Sequence, residues 1–158
     1  MTRPEVPAAT MQAAEAAFEE HGAKRTLTGR AALLVAGIAL AFSTFQIVIA
    51  AFSPLSSLPT RSIHVGFLVA LALLVHPVSR RADRQRIAWY DAVLAAIAFA
   101  LALYHLVLEA DLVVRSGDPT TTDLVVGTLF VLLLFDAARR VLGVALPIIC
   151  GAFLLYGL

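Results

Sequence analysis

The sequence contains little that supports enzyme chemistry or a disulfide-stabilised fold. Its single cysteine, Cys150, lies inside an apolar segment, which excludes a disulfide framework and leaves the redox compartment undecided. No phosphate-binding loop, dinucleotide fingerprint, zinc-ligand spacing or nucleophile elbow is present. We therefore expect no enzymatic activity, no bound metal and no cofactor.

Charged residues are also scarce, at 15% of 158 residues, and the net charge is only +1. The basic residues flank apolar segments and do not form one clustered face, which argues against nucleic acid as a partner. The polar connections are too short to hold a soluble core between the apolar segments. We expect no signal peptide, because residues 1–30 are polar and the first apolar run is too long for one.

Apolar residues, in contrast, make up 60% of the chain, and the mean hydropathy is +0.88. Soluble domains average about 45–50%. The excess falls into blocks that approach the roughly 20 residues a helix needs to cross a bilayer. The predicted spans cover residues 31–52, 58–78, 87–108, 121–138 and 141–158. This pattern predicts an all-α integral membrane protein with a bundle of four to five transmembrane helices.

The distribution of arginine and lysine predicts the orientation of that bundle. With a cytoplasmic N-terminus and alternating spans, ten of the basic residues lie inside and only Arg61 and Arg115 lie outside. Cytoplasmic connections retain Lys and Arg during insertion, so this asymmetry favours an N-terminus in the cytoplasm. Residues 1–29 are then a cytoplasmic tail, partly disordered, and residues 30–158 form the transmembrane domain.

The segment Asp136–Arg140 leaves the number of spans open, because no glycine or proline interrupts it. Either the chain turns at the inner surface into a fifth span, or one helix runs along that surface before re-entering. We favour the turn, since two adjacent arginines are costly inside hydrocarbon.

Side chains at the span ends are typical of membrane anchors, and small residues are typical of helix packing. The predicted anchors on the inner side are Arg80, Arg81, Arg84, Arg86, Trp89, Tyr90, Arg139 and Arg140. The predicted packing positions are Gly37, Ala92, Ala96, Ala100, Gly143 and Gly151.

Few residues in the spans suggest chemistry. His64 and His105 both fall near the outer boundary and could in principle ligate one haem, although interfacial histidines are more often hydrogen-bonded to lipid or backbone. Asp91 and Asp123 fall at helix starts, where capping is a better interpretation than proton relay.

Three segments taken together resemble a known family. They are Arg61-Ser-Ile-His-Val-Gly-Phe67, Pro119-Thr-Thr-Thr-Asp-Leu124 and Asp136-Ala-Ala-Arg-Arg-Val-Leu-Gly-Val-Ala-Leu-Pro-Ile148. Their order and spacing resemble the N-terminal region of permeases of tripartite ATP-independent periplasmic (TRAP) transporters, in the TAXI branch. The resemblance covers residues 27–158.

The resemblance implies a non-catalytic small membrane subunit, or the equivalent region of a fused permease, in a bacterial inner membrane. Such a subunit packs as a fixed scaffold beside a large permease that moves organic anions by an elevator motion. An ion gradient drives uptake, and a periplasmic binding protein delivers the substrate. The residues we predict to dock that protein are Arg61, His64, Arg115 and Asp118.

The large transport region does not follow within the sequence, so we expect it elsewhere, and we expect this chain alone to transport nothing. Two alternatives from other classes are a small haem-binding electron-transfer protein, resting on the two histidines, and a small dimeric exporter.

Overall fold

A computed structural model describes residues 24–79 and 83–157. Within those ranges every regular element is a helix: α1 (Gly29–Phe52), α2 (Ser57–Val75), α3 (Trp89–Val107), α4 (Glu109–Val114), α5 (Thr121–Leu142) and α6 (Ala145–Gly157). This confirms the all-α prediction. The helices α1, α2 and α3 are long and apolar enough to cross a membrane, which indicates a multi-pass membrane protein. The apolar helix α6 is shorter, at 13 residues.

Local sequence signals explain where the helices begin and end. The helix α1 ends where Ser53 adopts a left-handed conformation, just before Pro54. Pro59 occupies the first turn of α2, where a missing N–H costs no helical hydrogen bond. The same helix ends at Val75, ahead of Pro77 and earlier than the predicted limit at residue 78. Thr120 and Asp123 form a reciprocal capping box at the start of α5.

The position predicted for the turn, residues 136–140, is wrong, because α5 continues through these residues to Leu142. Within this helix Asp136 pairs with Arg139 and Arg140, at i+3 and i+4. The chain bends instead at Gly143, whose φ of 85° favours a residue without a side chain.

The core lies between α2 and α3, which run antiparallel, with the end of α5 packed against them. Its fully buried residues include Val69 and Leu73 of α2 and Ala98 and Ala102 of α3. Gly66 permits the closest approach, because a Cβ added there would lie 2.5 Å from the Cβ of Ala102. The helices α1 and α6 contain no buried residue, so their side chains remain largely available to lipid or to another protein.

Candidate functional site

The most unusual feature of the fold is a buried cluster of charged side chains where α2 ends and α3 begins. We call Arg25, Asp91, Asp136 and Arg140 the ion-pair network. Asp91 is fully buried, and each of its carboxylate oxygens accepts from a different arginine. One oxygen pairs with Arg25, and the other lies 2.7 Å from Nη1 of Arg140. A buried carboxylate with two buried guanidinium partners is stable only because the charges neutralise one another.

Arg25 connects the segment before α1 to the end of α2. Its backbone N–H donates to the carbonyl of Val75 at 2.9 Å, and its Nη1 donates to the carbonyl of Leu74 at 2.8 Å. The last turn of a helix has carbonyl groups without helical partners, and Arg25 supplies donors for them. This basic side chain therefore caps α2 while it pairs with Asp91.

Arg140 brings the end of α5 into the same cluster. Its Nη1 donates to the carbonyl of His76 at 3.2 Å, and its Nε donates to Asp136 at 2.8 Å. Two arginines and two aspartates thus meet in the network, with Arg139 as a further partner of Asp136, and they join four parts of the chain. Asp91 also lies in the first turn of α3, where the helix dipole favours a negative charge.

His76 lies beside the network, just beyond the end of α2. Burial lowers the pKa of this imidazole below its ordinary value of 6.5, and the nearby positive charges of Lys24, Arg25 and Arg140 lower the pKa further. A neutral His76 adds no further positive charge to a cluster in which arginines already outnumber carboxylates.

The opposite end of the bundle has a second set of polar contacts. The hydroxyl of Ser62 lies 3.1 Å from the carbonyl of Ala102 and 3.0 Å from Nδ1 of His105. His64 instead contacts the side-chain amide of Gln46 on α1. The two histidines proposed as haem ligands therefore take part in separate helix–helix contacts. Among the described residues, no three His, Cys, Asp or Glu side chains are grouped in a way that could hold a metal.

The residues predicted to dock a partner differ in their surroundings. Arg61 and Asp118 are exposed, and His64 is half-buried. Arg115 pairs with Asp123 at 3.1 Å, and Asp123 also accepts from Tyr104. Arg61 is therefore the basic docking candidate that has no ion pair among the described residues.

The predicted packing ladder occupies a different face of α3 from the one that packs inside this chain. Ala92, Ala96 and Ala100 are exposed, whereas the buried face contains Ala95, Ala98 and Ala102. Gly37 has open space around its Cα, Gly143 is buried at the bend, and a Cβ on Gly151 would meet Phe135 at 3.9 Å. A role for the exposed positions in contacts with another chain stays a prediction.

The predicted membrane anchors also fall into groups. Trp89, Arg84, Arg86 and Arg139 are exposed, as an anchor at lipid headgroups requires, and Tyr90 is half-buried. Arg140 is buried in the ion-pair network, so it cannot act as a lipid anchor. Arg80 and Arg81 lie outside the described residues.

Sequence reasoning missed the ion-pair network because its members are far apart in the chain. One signal was nevertheless present, because charged residues near the membrane need partners. The spans place Asp91, Arg25 and Arg140 at the same depth, where they can pair with one another.

A scan against protein-family models found no match, and searches of curated proteins and of solved structures found none either.

Proposed function

We propose that the chain is a non-catalytic scaffold subunit, or scaffold region, of a TRAP-type transporter in a bacterial inner membrane. In this proposal a large permease carries the substrate and cation sites, and a periplasmic protein delivers an organic anion. An ion gradient drives uptake. The choice of family in this proposal rests on the resemblance of the three sequence segments to TAXI-branch permeases.

The ion-pair network is the observation that carries the scaffold role. It fastens the N-terminal segment, α2, α3 and α5 to one another through a fully buried carboxylate. Moving these elements apart would leave charges buried without partners, which costs several kcal/mol per ion, as an order-of-magnitude figure. An elevator mechanism needs one body that stays still while another moves, and this arrangement suits the stationary body.

The apolar surfaces support a large partner in the membrane. Leu33 and Leu40 of α1 are 73% and 70% exposed, and Phe153 of α6 is 73% exposed. Either lipid or a second membrane protein can cover such side chains. Helices of a second protein approach closely where the surface of this chain has small residues. Gly37 lies on α1 with open space around it, which leaves room for a close helix–helix approach.

Reconstitution tests the scaffold proposal directly. Vesicles that contain only this chain are expected to accumulate none of a panel of radiolabelled carboxylates under a sodium or proton gradient. Adding the large permease and the binding protein is expected to restore uptake, and omitting this chain from the complete mixture should abolish it. Accumulation by the chain alone, or full uptake without it, would contradict the proposal.

Docking of the binding protein is tested at Arg61, because no ion pair within the described chain is lost when it changes. The variant Arg61→Glu is expected to lower binding-protein-dependent uptake about tenfold, since reversing a charge at an interface creates repulsion. The matched control is Arg84→Glu, an exposed arginine at the opposite end of the bundle. Equal uptake by both variants, at equal membrane content, would remove Arg61 from the docking surface.

A further inference from the structure

A polar pocket lies between the start of α1 and the segment that leads into α3. It has a volume of about 630 Å³, and its lining includes Thr28, Arg30, Gln85 and Arg86. Both arginines are exposed, and neither forms an ion pair or hydrogen bond within the described residues. The pocket therefore has two positive charges and polar donors, and no carboxylate lines it.

A separate apolar crevice lies further along the bundle, between α1, α2 and α3. It has a volume of about 290 Å³, and its lining residues are all apolar, among them Leu34, Ile38, Ala92, Ala96 and Phe99. Leu34 is one helical turn beyond Arg30 on α1. From Arg30 to Ile38 the two cavities extend over about 12 Å at 1.5 Å per residue.

We propose that this pocket and this crevice together bind one anionic phospholipid. The phosphate would lie between Arg30 and Arg86, and an acyl chain would lie against Ala92 and Ala96. Arginine forms charge-assisted hydrogen bonds with phosphate oxygens, and basic pockets between membrane helices bind anionic headgroups. A free phosphate would fill the polar pocket and leave the apolar crevice uncovered, so the position of that crevice one helical turn beyond Arg30 favours a lipid.

The first turn of α1 adds to this preference. It contains no acidic residue, and the side chain of Thr28 does not cap it. Thr28 and Arg30 at this helix start line the pocket, and an anion at a helix N-terminus is stabilised by the helix dipole. The proposal needs only that the helices cross a membrane, and it does not depend on the transporter proposal.

The single tryptophan of the chain, Trp89, provides a readout. It is 78% exposed and lies three and seven residues before Ala92 and Ala96, hence on the same side of α3. Phosphatidylglycerol with brominated acyl chains is titrated into the full chain in detergent, and quenching of Trp89 is measured. Phosphatidylcholine with the same chains is the reference, and unlabelled phosphatidylglycerol and inorganic phosphate are competitors.

We expect phosphatidylglycerol to bind more tightly than phosphatidylcholine. The double variant Arg30→Gln/Arg86→Gln should lose about thirtyfold in affinity, on the scale for two arginines at a membrane surface. The control Arg61→Gln/Arg115→Gln loses the same charge at the opposite end of the bundle and should bind normally. Ala96→Phe fills the crevice and should weaken binding, whereas Ala100→Phe, outside the crevice lining, should not.

Three results would overturn the proposal. One is equal affinity for the two lipids, and another is an equal effect of the two arginine double variants. The third is competition by inorganic phosphate as effective as that by unlabelled phosphatidylglycerol, which would assign the pocket to free phosphate.

Discussion

Replacing Asp91 with alanine is expected to lower the free energy of unfolding by about 3–5 kcal/mol, the range for breaking a buried ion pair. The change leaves Arg25 buried without any carboxylate and leaves Arg140 with Asp136 alone. Equilibrium unfolding of the full chain in mixed micelles measures the loss. The control is Asp111→Ala, which removes an exposed carboxylate from α4 and should change stability little.

A second pair of variants separates the charge from the shape of Asp91. Asp91→Asn keeps one acceptor oxygen and removes the charge, so we expect a smaller loss than with alanine. Removing Arg25 and Asp91 together leaves Arg140 paired with Asp136. We therefore expect the double variant Arg25→Met/Asp91→Ala to lose less free energy of unfolding than the sum of the losses in the two single variants. Additive losses, or an Asp91→Ala variant as stable as Asp111→Ala, would show that the network does not hold the bundle together.

Replacing Gly66 with alanine is expected to destabilise the fold by about 1–3 kcal/mol, the usual cost of overpacking. The new Cβ would lie 2.5 Å from the Cβ of Ala102, so α2 and α3 must move apart. Gly127→Ala is the matched control, because Gly127 is helical and no atom lies within 4 Å of its added Cβ. This control should leave stability unchanged or raise it slightly, since alanine favours helix more than glycine does.

The clash at Gly66 can be relieved at its partner. The double variant Gly66→Ala/Ala102→Gly restores the space between the two helices and should recover most of the lost stability. Such a rescue identifies the Gly66–Ala102 contact as the cause, and a double variant less stable than either single one would exclude it.

The sequence alone predicts the long apolar helices well, because length, hydropathy and proline position act locally. The spans 31–52 and 87–108 differ from α1 and α3 by at most two residues at either end. The packing face of α3 was harder to predict, because alanine occupies both alternatives. Two faces of α3 have alanines at helical spacing: one contains Ala92, Ala96 and Ala100, and the other contains Ala95, Ala98 and Ala102. Only the position of α2 decides which of these faces is buried inside the chain.

The error over residues 136–140 has a related cause. The sequence favours a turn there because two adjacent arginines are costly inside hydrocarbon, and that cost falls when Asp91 pairs with Arg140. The partner lies 49 residues away in the chain, so no local pattern contains it. Distant pairing with Asp91 also explains why Arg25, a charged residue from the segment before α1, is buried.

The ion-pair network has a consequence for biogenesis. Its members are contributed from near the start, the middle and near the end of the chain, and synthesis proceeds from the N-terminus. Arg25 thus leaves the ribosome long before Asp91 exists, and both precede Arg140. Arg25 can pair with Asp91 once α3 has been made, but the second oxygen of that carboxylate stays without its arginine until α5 has been made, so the bundle is closed only when Arg140 arrives.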